Sequence, residues 1–285
     1  MKGLARLAVL FTMTAIGVSA QTNQNNNSNN NNVSKNVLAV QTLYNYLIYP
    51  NSQQVFPASG VSPVDALFSP VGVQGRIAPL GEGHDLMTVK KTFFGVKISQ
   101  SSPDQAYVSL TGVTFRSITD LSPVVLVVVD LSFTPGVNAF LVSPFQVRET
   151  GQFTFNKAGQ IVSFDLQIPY YDFVFFNILG IELSNPNVVT TVINQVCAVA
   201  TSAPCSGMNA QYNGSFSTCA AYLSTISVGS FNRLSANSLT CRLTNLQFVQ
   251  IDPANDRTNS CPVLGQTGGN QCVDTPYSTY FTETF

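Results

Sequence analysis

"GQFTFNKAGQIVSFDLQIP" (Gly151–Pro169) reads as two strands joined by a turn. Phe153 and Phe155 alternate with polar residues, Asn156-Lys157-Ala158-Gly159 has turn chemistry, and Val162, Phe164, Leu166 and Ile168 resume the alternation. With Phe155 set opposite Gln160, these four residues share a face with Phe155, Phe153 and Val147, and that face is the core. Asp165 then falls on the other face, opposite Thr150 and diagonal to Arg148. A cross-strand ion pair on a wet face explains it, contributing about a few tenths of a kcal/mol. The same register turns Glu149 inward, beside Leu166. A carboxylate there needs a partner or a function, unless a β-bulge at Gly151 turns it outward. Without the bulge, Glu149 and Tyr44 form the best candidate pocket pair.

Working outward, a period of two runs from Gln105 to Ile168, with strands expected near Ala106–Arg116, Pro123–Phe133, Phe140–Phe155 and Ile161–Ile168. "VVLVVVDLSF" (Val124–Phe133) is apolar on both parities apart from Asp130 and Ser132, so both its faces call for cover. The C-terminal tail or a second subunit can supply it, and the tail is favoured because it lies in the same chain. Upstream, "SKNVLAVQTLYNYLIYP" has helical spacing, with Ser34 as cap, Val37, Val40, Tyr44 and Leu47 on one face, and Pro50 as its end. A proline-containing loop follows. "GHDLMTVKKTFFGVKI" then predicts a short helix with Leu86, Val89, Phe93 and Phe94 inward. Helices followed by antiparallel strands make an α+β pattern.

The chain begins with Lys2 and Arg6, an apolar run to Val18 and a Val-Ser-Ala cleavage site before Gln21. That is a secretory signal peptide over 1–20, too short to span a membrane. No later stretch is long and apolar enough to span either, so an exported, extracellular or cell-surface protein is expected. Residues 21–33 are an Asn-rich disordered spacer. Removing Lys2 and Arg6 leaves 11 basic against 14 acidic residues, a balance that argues against nucleic acid. Solubility then rests on Asn, Ser, Thr and Gln, and on glycans if the sequons at Asn26, Asn32 and Asn213 are used.

All six cysteines, Cys197, Cys205, Cys219, Cys241, Cys261 and Cys272, follow Pro186. In an exported chain they read as three disulfides. Fifteen pairings are open, and Cys219–Cys241 is the one expected to staple two tail helices. No Cys-x-x-Cys pair or nearby histidine suggests a metal, so neither metal nor cofactor is expected. "CPVLGQTGGNQC" lacks the lysine of a phosphate loop and reads as a disulfide-closed turn. Helical stretches are expected near Val188–Ala200, Phe216–Ser227 and Ala236–Val249.

The order of elements from Ser34 to Pro169 resembles the NTF2-like superfamily, with its SnoaL-like domains. The matching features are the long first helix, "DALFSPVGVQGRIAPLGEG" (Asp65–Gly83), the helix after it and the closing "GQFTFNKAGQIVSFDL". The tail, with "CAAYLSTISVGS" and "NSLTCRL", looks like that of secreted fungal proteins with a similar front half. The resemblance implies a strongly curved antiparallel sheet packed on N-terminal helices, forming a cone with a pocket. The domains are then 1–20, 21–33, an NTF2-like α+β domain over 34–185, a cysteine-rich helical tail over 186–274 and an extension over 275–285. Tyr44, Glu149, Phe153, Phe164 and Leu166 are the candidate pocket residues. His84, in the loop "GEGHD", is a weaker candidate base.

Two functions fit these residues. One is a secreted binding or structural module holding a small apolar ligand, with a homodimer allowed but not required. The alternative is an isomerase, cyclase or hydrolase using Glu149 and Tyr44. The lack of a nucleophile motif, a metal cluster and a placed histidine favours the first. A cone filled by phenylalanines would weaken both ligand readings.

Overall fold

The computed structural model describes residues 33–57, 61–95, 97, 108–135, 144–174, 182–202, 205–251 and 257–276. The expected signal peptide, the sequons Asn26 and Asn32, and the extension beyond residue 276 lie outside them.

Helix α1 (Lys35–Asn45) starts where Ser34 Oγ accepts the amide of Val37, and it buries Val37, Val40 and Tyr44. Helix α2 (Leu86–Phe94) opens with a reciprocal capping box between Asp85 and Thr88. Between them the chain forms β1 (Gln74–Ala78) and β2 (Gly81–Gly83), where the sequence suggested only loop. Four longer strands follow: β3 (Val108–Leu121), β4 (Val124–Pro135), β5 (Phe145–Phe155) and β6 (Ile161–Gln167). One sheet holds all six in the order β2-β1-β6-β5-β4-β3.

This sheet corrects the expected curved antiparallel cone. It is mixed, because β1 runs parallel to β6 from Gln74↔Ser163 to Ala78↔Gln167. It is also open and not strongly curled, with β2 and β3 as its edges. The reason lies in the register. Bulges bend a sheet, and here they sit in β3 and at the start of β6, while β5 pairs with β4 without a break from Phe145 to Thr154. What stands is an α+β domain with helices flanking a mixed sheet.

The hairpin of Gly151–Pro169 forms two residues out of the expected register, with Gln152↔Asp165 and Phe153↔Phe164. A shift of two preserves parity, so Phe164, Leu166 and Ile168 stay on the core face and Asp165 off it. Val162, expected inward, is bulged out of the pairing and half-buried, and the fully buried Ile161 lies opposite Phe155 in its place. Asp165 is on the half-exposed face, but its partner is Arg76 of β1, not Arg148. Arg76 Nε and Nη2 donate to its two oxygens at 3.0 and 2.7 Å. Arg148 instead joins Arg116 in clamping Asp130, and the Arg148 hydrogen bonds hold that carboxyl below its usual range.

Gly151 carries no bulge; it pairs in step with Val127 and Leu166. Its φ of +154° and its crowding require glycine, since a Cβ would lie 2.1 Å from the carbonyl oxygen of Asp165. Gly151→Ala is therefore expected to cost about 3 kcal/mol by overpacking against backbone. Urea denaturation checks this, and a loss under about 1 kcal/mol would show that the strands can part there.

The tail contains α4 (Pro186–Ala200), α5 (Phe216–Leu223), α6 (Leu239–Ile251) and α7 (Arg257–Leu264), preceded by a helical turn, α3 (Tyr171–Phe173). The disulfides are Cys197–Cys219, Cys205–Cys261 and Cys241–Cys272. Neither the expected Cys219–Cys241 staple nor a turn closed between Cys261 and Cys272 forms. Cys219 joins α5 to the end of α4, and Cys241 joins α6 to the segment after α7. Arg242 is fully buried, donating to the carbonyls of Ser238 and Gly265. Beside it Tyr212 donates to Leu264 O at 2.9 Å, and burial pushes its phenol up to about 12.

The described residues of the tail do not cover β4. Leu126 on the outer face is 39% exposed, and Val124 and Val128 are partly exposed. The tail packs at the other end of the sheet. A Cβ on Gly95, at the close of α2, would fall 1.8 Å from the ring of Phe248 in α6. The Asp172 carboxylate accepts from Ser230 Oγ, the Phe231 amide and Asn232 Nδ2 at 2.7, 2.6 and 2.9 Å.

Candidate active site

Strand β5 presents Val147, Glu149, Phe153 and Phe155 to the core by simple alternation. Glu149 is 0% exposed, in a position where only pairing makes a carboxylate tolerable. Two elements supply the pairs. From α1, Tyr44 Oη donates a hydrogen bond to Glu149 Oε1. From the turn after α2, Lys97 Nζ meets Glu149 Oε2 at 2.5 Å. This contact is an ion pair closed off from solvent on both sides. Lys97 Nζ also lies 4.1 Å from the centroid of the Phe93 ring, a cation–π contact.

Aromatic rings enclose the group. Tyr44 packs edge-on against Phe93, Phe115 and Phe153, with centroids 5.3, 5.3 and 6.1 Å away. Phe164 lies one ring further out, 5.6 Å from Phe93. Leu166 is buried opposite Gly151. In this apolar setting burial, reinforced by the Glu149 charge, holds the Tyr44 phenol protonated well above its usual range. Burial pulls the Lys97 ammonium below the ordinary lysine range, and Glu149 partly restores it. Burial likewise raises the phenol of Tyr171 in α3, and the Glu149 charge adds to the rise. The site thus holds one carboxylate, a fixed phenol donor and a buried lysine paired with that carboxylate.

Of the candidates read from sequence, Tyr44 and Glu149 are joined directly, and Phe153 and Phe164 belong to the surrounding rings. His84 stands apart and exposed, 3.4 Å from Glu82. Asn213 is exposed, just before α5. Among the described residues, no cluster of three His, Cys, Asp or Glu could hold a metal, and no helix is long and apolar enough to cross a membrane.

Lys97 and Tyr171 were not anticipated. A signal for Lys97 was present: Val89, Phe93 and Lys97 follow at i, i+4 and i+8, so the core stripe of α2 ends on a charge. The turn continues that direction, with the Lys97 amide bonded to Phe94 O at 3.0 Å. Tyr171 had no such signal, because it follows the strand pattern in a turn.

Residues 181–275 match the model of the BfoA family C-terminal domain. The chain is 32% identical over 125 residues to bifonsecin B biosynthesis cluster protein A of Aspergillus brasiliensis, a match covering 41% of this chain and 40% of that protein. It is 29% identical over 124 residues to aurasperone B biosynthesis cluster protein A of Aspergillus niger, covering 41% and 39%. The matches thus span about two fifths of the length of these curated relatives. Among solved structures, a Mycobacterium tuberculosis LEH-like epoxide hydrolase covers 51% of this chain and 90% of its own, at 16% identity and TM-score 0.35. A steroid delta-isomerase from Pseudomonas aeruginosa covers 48% and 80%, at 11% identity and TM-score 0.31. The chain thus joins an α+β domain with a mixed sheet to a disulfide-rich C-terminal region that matches the BfoA family C-terminal domain, and over about two fifths of its length it is similar to Aspergillus biosynthesis-cluster proteins.

Proposed function

We propose that the chain is an enzyme of the isomerase, cyclase or hydrolase kind in which Glu149 moves a proton on a small carbonyl compound. The single observation that carries this is the buried hydrogen bond from Tyr44 to Glu149, with Lys97 on the other carboxylate oxygen. It supports an acid–tyrosine pair over the binding module that the bare sequence favoured. Glu149 Oε2 takes a proton from the carbon beside the carbonyl; the C–H pair becomes a C=C bond and the carbonyl π pair moves to the oxygen, giving an enolate. Lys97 turns from Oε2 to that oxygen and stabilises its charge. Tyr44 keeps its proton throughout and holds Oε1. Glu149 then returns the proton at the far carbon of a conjugated enolate and the carbonyl re-forms, which is isomerisation, or the enolate carbon attacks a second carbonyl and Glu149 gives its proton to the alkoxide so formed, which is cyclisation.

Access requires the rings over Glu149 to move aside. The names of the relatives suggest a substrate among the organic intermediates of a fungal biosynthesis. We extend the proposal to export by the leader over 1–20, to the spacer at 21–33 and to the division at residue 185. The full burial of Glu149 favours a second reading, in which the triad is a structural ion pair inside a binding module.

The test follows α-carbon hydrogen exchange of a panel of enolisable ketones in D2O by NMR. Wild type is expected to accelerate exchange of at least one member, and Glu149→Gln to lower that rate by about 10²–10⁴-fold. Equal rates for the two proteins would leave the structural reading.

A further inference from the structure

A second feature lies away from Glu149. The seam between the tail and the end of the sheet encloses a cavity of about 400 Å³, within the range of small-molecule sites. One wall comes from β1, β2 and α2, and the other from α6, α7 and the segment before α6. Leu80, Leu234 and Val249 give it an apolar lining, and Cys241, locked to Cys272, braces the tail side. Two hydroxyls line it from the tail, Ser235 and Ser260. The Oγ atoms of both are buried and have no hydrogen-bond partner among the described residues, and Ser260 is 7% exposed. Buried hydroxyls are almost always paired; neither Oγ opens onto the cavity as it stands, and a turn of either serine side chain toward it would give that hydroxyl a partner there. The charges on the opposite wall are of both signs, Arg76 being held by Asp165, so the lining selects no highly charged ligand.

We propose that this seam is a ligand site separate from Glu149. It takes a small, largely apolar molecule whose hydroxyl or carbonyl oxygens meet Ser235 and Ser260. The site exists only when tail and sheet are docked, so the tail serves here as a binding wall.

The test uses 8-anilinonaphthalene-1-sulfonate, an aromatic probe with oxygen acceptors, titrated into the full chain and followed by fluorescence. One saturable site is expected. Ser260→Leu and Ser235→Leu, which fill the cavity from different elements, should each weaken binding by at least about tenfold. Glu149→Gln should leave it within about twofold. Leucine variants that bind like wild type, binding that follows Glu149→Gln, or no saturable binding would each overturn the proposal. Hydrogen exchange of wild type with and without probe needs no variant. Protection in α6 and α7 is expected, and protection confined to α1 and β5 would overturn the site even if both variants fail to fold. Loss of this site would leave the Glu149 chemistry untouched, and the reverse also holds.

Discussion

Replacing Glu149 by alanine is expected to destabilise the fold by about 3–5 kcal/mol near neutral pH. The substitution removes the only ionic partner described for a buried ammonium and takes the acceptor from Tyr44. The loss has a direction in pH. Burial already lowers the Lys97 pKa, and without Glu149 it falls further. A depressed lysine pKa means that the folded state binds fewer protons than the unfolded chain between the two values. Stability therefore rises with pH through that window, up to the ordinary lysine value of 10.5. The deficit of Glu149→Ala should narrow as pH rises from 7 toward 10.5. Adding Lys97→Met to Glu149→Gln removes both charges and leaves Tyr44 an acceptor, so that double variant should regain most of the loss. Urea denaturation of the three proteins at pH 7 and 10 checks the series. A deficit below about 1 kcal/mol would mean that Glu149 reaches water.

Removing Cys205–Cys261 with two serines should cost about 4 kcal/mol, against about 3 for Cys197–Cys219. The first joins residues 56 apart and the second residues 22 apart, and chain-entropy cost grows with the logarithm of the loop. Cys205–Cys261 also ties α7 to the segment after α4, whereas Cys197–Cys219 joins neighbouring helices. Thermal denaturation under non-reducing conditions ranks the two. The reverse order would show that strain or structure in the unfolded tail outweighs loop length.

The hairpin register turned Glu149 inward, and that parity survives an error of two residues, but the sequence favoured a bulge at Gly151 that would have turned it outward, and the structure has none there. By the same parity Asp165 was correctly placed on the wetter face while its partner was missed. Arg76 sits in a short strand whose sequence, "QGRIA" before Pro79, looks like loop. Local pattern does not announce a five-residue strand that pairs with a segment 89 positions away. That strand also makes the sheet mixed, so the expectation of an antiparallel cone failed at the same point. Lys97 was hidden by the habit of reading lysine as a surface residue, although its spacing from Val89 and Phe93 placed it inward. The disulfides were legible as a set of three from compartment and count. Their pairing depends on how α4 to α7 stack, which spacing does not encode.

The central claim is that Glu149 and Tyr44 act as one proton-transfer unit. Its most direct test is a double-mutant cycle on ketone exchange in D2O with Glu149→Gln, Tyr44→Phe and the pair combined. If the two act as a unit, the double variant should be no slower than Glu149→Gln alone, because removing either partner disables the same step. Losses that add in full, or a wild-type rate no faster than buffer, would contradict it.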